Sequence, residues 1–376
     1  MDSPYKKNIS DLISKLNSNL NKISELKKLN PEKKIGFMLG TTITDEKILT
    51  PYPTPVRIYD NFLIFGAIVF DQTVAIILST LLSSKVDYFF VDVEKKIPID
   101  KNPNHQILKD YKIKFNSKDS KIEYGNLSKS IIPYVPKEKL IGYKANDLTV
   151  NAVWAFVSNH FVELSGTRIF VFGLGNIGCK LSLKLVESGA NIFTYSNIKI
   201  LGILKSYLLN KIKHKFVLSK ITNIIFYKSC LSQSDCVIIA SSMKDSFTSR
   251  MASHVKEKTL LIDISKGGIS NDAIKILYKK NCILWRANIT DYLSSYLSTL
   301  ENLRKNLLNN FGEKKIVGIR LISGGFIGNF GDVVVDNFNN PSIFYGVCDG
   351  RGGFLSTQNK KYLKIIKLLK KYNLVG

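Results

Sequence analysis

The stretch Arg168-Ile-Phe-Val-Phe-Gly173-Leu-Gly175-Asn-Ile-Gly178-Cys-Lys-Leu-Ser-Leu-Lys-Leu185 decides the fold. Ile169 to Phe172 form the apolar run of a core strand, and Leu181, Leu183, Leu185 and Val186 give the segment after Gly178 an apolar helical face. Gly189-Ala190 closes that helix, and Asn191 to Tyr195 opens a second strand. Between strand and helix lies Gly-x-Gly-x-x-Gly, in the strand–turn–helix context that gives the pattern meaning. Gly173 permits the tight turn, Gly175 lets a pyrophosphate approach the backbone, and Gly178 lets helix and strand pack closely. The free N–H groups of Gly175, Asn176 and Ile177 at the helix start then face the phosphates. The competing reading is a glycine-rich turn that binds nothing; the flanking strand and helix favour a dinucleotide.

An acidic residue some twenty positions on would hold an adenosine ribose 2′-OH. That position falls at Thr194-Tyr195-Ser196-Asn197, and no Asp or Glu occurs between Glu187 and Asp235. Ser196 and Asn197 can donate to a 2′-phosphate, with Lys199 or Lys205 to offset its charge. The expected cofactor is therefore NADP rather than NAD.

Short apolar strands alternate with helical segments beyond this point: Ser234 to Met243, Lys258 to Ile269 and Cys282 to Arg286. The expected fold class is α/β, a doubly wound parallel-sheet Rossmann domain preceded by an N-terminal α/β substrate domain. The domains are read as 1–145 for substrate, 146–300 for NAD(P), and 301–376 as a glycine-rich segment with a closing helix, packing at the interdomain cleft. Residues 6–28 read as an amphipathic helix, and Gly36 to Thr42 as a short strand and turn. Thr50-Pro-Tyr-Pro-Thr-Pro-Val56 reads as an extended connection, and residues 97–140 as loops and short elements. Phe62 to Leu82 is long enough to span a membrane, but Asp71 and Gln72 lie at its centre. It reads better as a strand followed by a helix capped by Asp71. Asn146 to Phe161 reads as the helix linking the domains.

The formal charge is +24, from 54 basic and 30 acidic residues. The lysines are scattered, arginine is rare beside them, and no nucleic-acid motif accompanies the charge, so no dedicated nucleic-acid partner is expected. An anionic small-molecule substrate is favoured by so basic a surface. Five cysteines without a Cys-x-x-Cys pair and four dispersed histidines argue against a metal site and a disulfide framework. Reduced thiols of a cytoplasmic protein, with no membrane partner and room for a homo-oligomer, complete the expectation.

In doubly wound sheets ligands bind beyond the carboxyl ends of the strands, which points to Ser241, Ser242 and Met243 as a border of the cofactor. Ordinary loop chemistry explains the serines equally well. A hydride-transfer enzyme also needs a proton donor beside the substrate. A desolvated lysine coupled to a carboxylate suits that task. Lys95 and Lys96 follow a core strand, and Asp147 begins the linking helix; surface solvation and helix capping are the bland readings of these residues. Asp263, Lys266 and the loop at Asp349 are held in reserve.

The layout resembles the two-domain proteins with an amino-acid-dehydrogenase-like first domain, such as shikimate dehydrogenases and methylene-tetrahydrofolate dehydrogenases. Gly142-Tyr-Lys-Ala-Asn146-Asp147 is similar to the Gly-x-Asn-Thr-Asp motif of shikimate dehydrogenases, with the Asp one place further on. Asp349-Gly-Arg-Gly-Gly-Phe-Leu-Ser-Thr-Gln358 is similar to their Asp-Gly…Gln segment, one residue longer. The resemblance implies a substrate domain, a linking helix, a nucleotide domain, and an Asp paired to an upstream lysine. The family's lysine motif is not visible, and Lys95 and Lys96 hold its place by order alone. The expected activity is NADP-dependent oxidoreduction of a small anionic metabolite in an interdomain cleft. A lyase or synthase retaining its dinucleotide, and a non-catalytic dinucleotide-binding subunit or sensor, are the rivals.

Overall fold

The computed structural model describes residues 4–42, 50–94, 104–114, 127–265 and 267–372. The chain divides into two compact units, Met1–Ser295 and Tyr296–Gly376.

The first unit opens with helix α1 (Pro4–Leu29), whose buried Ile9, Leu12, Leu16 and Ile23 recur at helical spacing. Strands β1 (Lys34–Gly40), β2 (Tyr52–Ile58) and β3 (Phe62–Ile68) follow. Next come helix α2 (Gln72–Leu82), strand β4 (Tyr88–Asp92), short helices α3 (His105–Asp110) and α4 (Leu127–Ile131), and strand β5 (Leu140–Tyr143). The sheet order is β2-β3-β1-β4-β5, parallel except for β2. Phe37, Phe65 and Phe89 meet on the face of the sheet covered by α1, α2 and α4. The division of 62–82 holds: α2 starts at Gln72, and Asp71 caps it by accepting from the Val74 N–H at 2.9 Å.

Two segments depart from the sequence reading. The proline-rich connection is strand β2. It lies at the sheet edge, antiparallel to β3, with a bulge between Thr54 and Arg57, and an edge strand tolerates Pro53 and Pro55 because one side of it needs no N–H partner. Residues 140–143, at the end of the stretch read as loops and short elements, form β5, which the sequence does not mark as a strand because it is too short for periodicity to register.

Helix α5 (Ala145–Phe161) leads into the second sheet. There β6 (Arg168–Phe172), α6 (Asn176–Glu187), β7 (Asn191–Tyr195), α7 (Lys199–Ile212) and β8 (Ile221–Asn223) come first. After them α8 (Lys228–Leu231), β9 (Cys236–Ile239), α9 (Ser249–Ala252), β10 (Leu260–Asp263), α10 (Asn271–Lys279) and β11 (Ile283–Arg286) complete it. The order is β11-β10-β9-β6-β7-β8, all parallel. Counted from β6 this is 6-5-4-1-2-3, the Rossmann order with its switch point between β6 and β9. Strand residues alternate between two cores: Ile169, Val171 and Ile238 pack with α5 and α6, while Phe170, Val237 and Leu261 pack with α9 and α10. The chain is thus α/β and doubly wound.

Helix α11 (Thr290–Asn310) runs on into the second unit. There β12 (Glu313–Ile316), β13 (Ile319–Ser323), β14 (Val333–Val335) and β15 (Phe344–Val347) form a sheet in that order, closed by α12 (Lys360–Lys371). Of the glycine runs read from the sequence, Ser323 to Asp332 joins the parallel strands β13 and β14, and Asp349 to Gly353 follows β15. No helix among the described residues is long and apolar enough to cross a membrane.

Candidate functional site

The carboxyl ends of β6 and β9 meet at the glycine turn. Gly173 has φ +101°, and a side chain there would sit 2.8 Å from the Ala240 carbonyl and 2.9 Å from the Ser241 nitrogen. A side chain on Gly178 would drive into the Gly173 carbonyl oxygen. Both glycines are demanded by the protein's own packing. Gly175 differs. It is the N-cap of α6 with φ −74°, a value any residue adopts, and a β-carbon there would meet nothing within 4 Å. The one glycine the chain itself does not need faces open space at the start of α6. The N–H groups of Asn176, Ile177 and Gly178 in the first turn have no partner within the helix and carry its positive dipole end. An anion such as a pyrophosphate fits this opening.

The loops on either side complete the rim. Ser196 and Asn197 follow β7, and Lys199 begins α7. Ser241, Ser242 and Met243 follow β9, with the Ser241 hydroxyl accepting from the Met243 N–H at 3.3 Å. The Asn197 amide reaches the Met243 sulfur at 3.6 Å, joining the two loops across the turn. Lys205 is spent otherwise, donating to the Leu174 carbonyl at 2.6 Å, so it braces the turn. The Cys179 thiol donates to the same carbonyl at 3.3 Å, and burial pushes its pKa up.

Lys95 and Lys96 lie outside the described residues, as does Lys266. Asp147 is not the helix cap. Lys144 occupies the N-cap position of α5, and Glu94, two residues beyond β4, accepts from the Asn146 N–H at 2.9 Å. Asp147 instead sits in the first turn, bound to the Lys144 ammonium at 2.5 Å and the Lys180 ammonium at 2.6 Å. Lys180 also lies 3.6 Å from Glu94. Partial burial pushes the Asp147 carboxyl up, but the two lysines outweigh it and hold the pKa below its ordinary value. Glu94, Asp147 and Lys180 thus tie the carboxyl edge of the first sheet to α6, one turn past the glycine turn. Lys180 and Glu94 were not legible as partners of Asp147. Lys180 is 33 positions from it, on a helix whose facing side only packing against α5 reveals.

Asp263 accepts from the Ser265 N–H and hydroxyl at 2.9 and 2.6 Å and from the Gly267 N–H at 2.8 Å, with the Gly268 N–H at 3.3 Å. All its oxygens fold the loop after β10. Asp263→Ala is expected to cost about 2 kcal/mol by stranding these donors, read as a lowered urea midpoint; an unchanged midpoint would return Asp263 to the list of proton donors. Asp349 does the same for its hairpin, accepting from Arg351 and Gly353.

No protein-family model matches the chain, and no curated protein matches its sequence. Among solved structures, the chain is similar to the shikimate dehydrogenase of Aquifex aeolicus at 12% identity and TM-score 0.40, over 72% of this chain and 93% of that one. A shikimate dehydrogenase solved in complex with NADP+ gives 12% identity and TM-score 0.39, over 74% and 96%. The quinate dehydrogenase of Corynebacterium glutamicum, in complex with NAD, gives 9% and 0.38, over 73% and 99%. The likeness is one of chain arrangement, and it transfers neither an activity nor a site.

Proposed function

We propose that the chain is an NADP-dependent oxidoreductase acting on a small anionic metabolite, in the cleft where the carboxyl edges of the two sheets of the first unit approach. The observation that carries the reading is the contrast within the glycine turn: Gly173 and Gly178 are fixed by neighbouring backbone, while Gly175 opens on empty space at a helix start. The N–H groups of Gly175, Asn176 and Ile177 hold the pyrophosphate in this reading. Ser196, Asn197 and Lys199 hold the 2′-phosphate, and Ser241 to Met243 border the cofactor. When bound, the nicotinamide supplies hydride exchange; the protein must supply position and a proton.

The proton donor of this reading is Lys95 or Lys96, oriented by Asp147. Glu94, the residue before Lys95 in the sequence, lies 3.6 Å from the Lys180 ammonium that binds Asp147. Because β4 ends at Asp92, strand alternation does not choose between the two lysines. The basic surface favours an anionic substrate.

The test is titration of NADPH and NADH against the purified chain by thermal shift, then a metabolite screen following NADPH absorbance. Stoichiometric consumption marks an oxidoreductase, and binding without consumption by any metabolite defeats it. NADPH is expected to bind more tightly than NADH. Asn197→Asp should reverse that preference by roughly tenfold or more, since a carboxylate there repels the 2′-phosphate and accepts from the ribose hydroxyls. Native preference for NADH would overturn the choice of cofactor.

A further inference from the structure

Helix α7 covers the outer strands of the second sheet through a narrow stripe. Only Gly202, Ser206 and Leu209 are buried, and Leu209 alone of its large side chains joins the core. Ile200, Ile203, Leu204, Tyr207, Leu208 and Ile212 are each 51 to 73% exposed. A helix apolar on nearly every side is ordinarily enclosed. The exposed band continues at both ends. Phe226 follows the carboxyl end of β8, beside the start of α7. Phe216 and Leu218 precede β8, where Lys213 ties their loop to the end of α7 through the Val217 and Ser219 carbonyls. These three are 75 to 91% exposed. Together the nine side chains present on the order of 1000 Å² of surface, more than a monomer's largest apolar patch ordinarily exposes.

The charged side chains of the segment that carries the band are all basic. No acidic residue occurs between Glu187 and Asp235, and Lys199, Lys211, Lys215, Lys220 and Lys228 are all exposed. Of the acids at the two ends of the segment, Glu187 accepts from the His214 N–H beside the band, where five exposed lysines outnumber it, and Asp235 binds Lys256 and the Arg168 N–H. A second copy pairing through this face would bring two like-charged lysine sets to one interface. An anionic lipid surface offers apolar depth and opposite charge together, which is the pairing that in-plane helices use.

We propose that α7 and its flanking loops dock the protein on an anionic membrane surface, the helix lying in the plane of the interface with Lys211, Lys215 and Lys220 among the headgroups. It stands opposite the expectation of no membrane partner, and it requires no bound cofactor. The experiment is co-sedimentation of the full chain with vesicles of phosphatidylcholine alone and of phosphatidylcholine mixed with phosphatidylserine. Binding is expected to the mixed vesicles only and to weaken in high salt. Leu204→Gln with Leu208→Gln should lower it roughly tenfold, and Lys211→Gln with Lys215→Gln should remove the preference for the anionic lipid. The replaced residues are exposed, so circular dichroism melts should match the parent. Absence of binding to either vesicle, or binding unchanged by the leucine pair, overturns the proposal. A dimer in sedimentation velocity that the leucine pair dissolves, without vesicle binding, assigns the face to a second copy instead.

Discussion

Gly175→Asp is expected to abolish stabilisation by NADP(H) while leaving the unliganded fold intact or slightly firmer, and Gly178→Ala to damage the fold itself. The two positions are three residues apart in one turn, yet their surroundings differ. At Gly175 the backbone already has an ordinary φ and a side chain meets nothing. It is also the N-cap of α6, where aspartate is a preferred residue and its charge suits the helix dipole. The unliganded melting temperature should therefore hold or rise. The same carboxylate occupies the opening at the helix start and repels phosphate, so NADPH affinity should fall by on the order of a hundredfold, or about 3 kcal/mol. At Gly178 the added carbon collides with the Gly173 carbonyl oxygen, a backbone atom that cannot rotate away. The turn must spread or the helix must lift, at a cost of about 2–4 kcal/mol. Thermal melts with and without NADPH separate the outcomes. Full NADPH stabilisation of Gly175→Asp would remove the glycine turn from the proposed cofactor site.

The turn was legible because everything that makes it lies within some twenty residues. Strand, glycines and helix are consecutive, and the chemistry of each glycine is local. The helix at Ala145–Phe161 and the Asp71 cap were legible for the same reason. Elements failed to show where their justification is distant. Pro53 and Pro55 suggest a connection until β3 is seen on one side of them and, among the described residues, no further strand on the other. The strands of the second unit are three to five residues long, below the length at which alternation can be read, and they are separated by glycine runs that read as loops. Sequence alone does not reveal that the small residues Gly202 and Ser206 form the inner face of α7. In the candidate site, the glycines and the two flanking loops were placed by strand-end logic. The partners of Asp147 were not, because ion pairs between helices depend on packing angle and leave no spacing in the chain.

Those partners set the expected behaviour of Asp147→Asn. With the carboxyl pKa held below 3.8 in the folded state, its stabilising contribution is complete above that value and is lost as pH falls through the lowered folded value. The side chain is 33% exposed and the lysines more so, so solvent screens the pairs and the substitution should cost under about 1 kcal/mol at neutral pH. The variant's stability should correspondingly flatten on the acid side. Turnover should fall by roughly a hundredfold or more if the carboxylate orients a proton-transferring lysine, with NADPH affinity nearly unchanged, since Asp147 is remote in role from the phosphates. Lys180→Met separates that role from a tie between helices. It breaks the link from α6 to Asp147 and Glu94 but leaves the carboxylate charged and bound to Lys144. A positioning carboxylate predicts that Asp147→Asn loses far more turnover than Lys180→Met and shifts the pH profile of kcat, while a purely structural tie predicts equal losses and an unshifted profile. Lys95→Met should reproduce the Asp147→Asn phenotype if Lys95 is the donor, and Lys96→Met should do so if the donor is its neighbour. Full turnover in both lysine variants would place the proton donor elsewhere in the cleft.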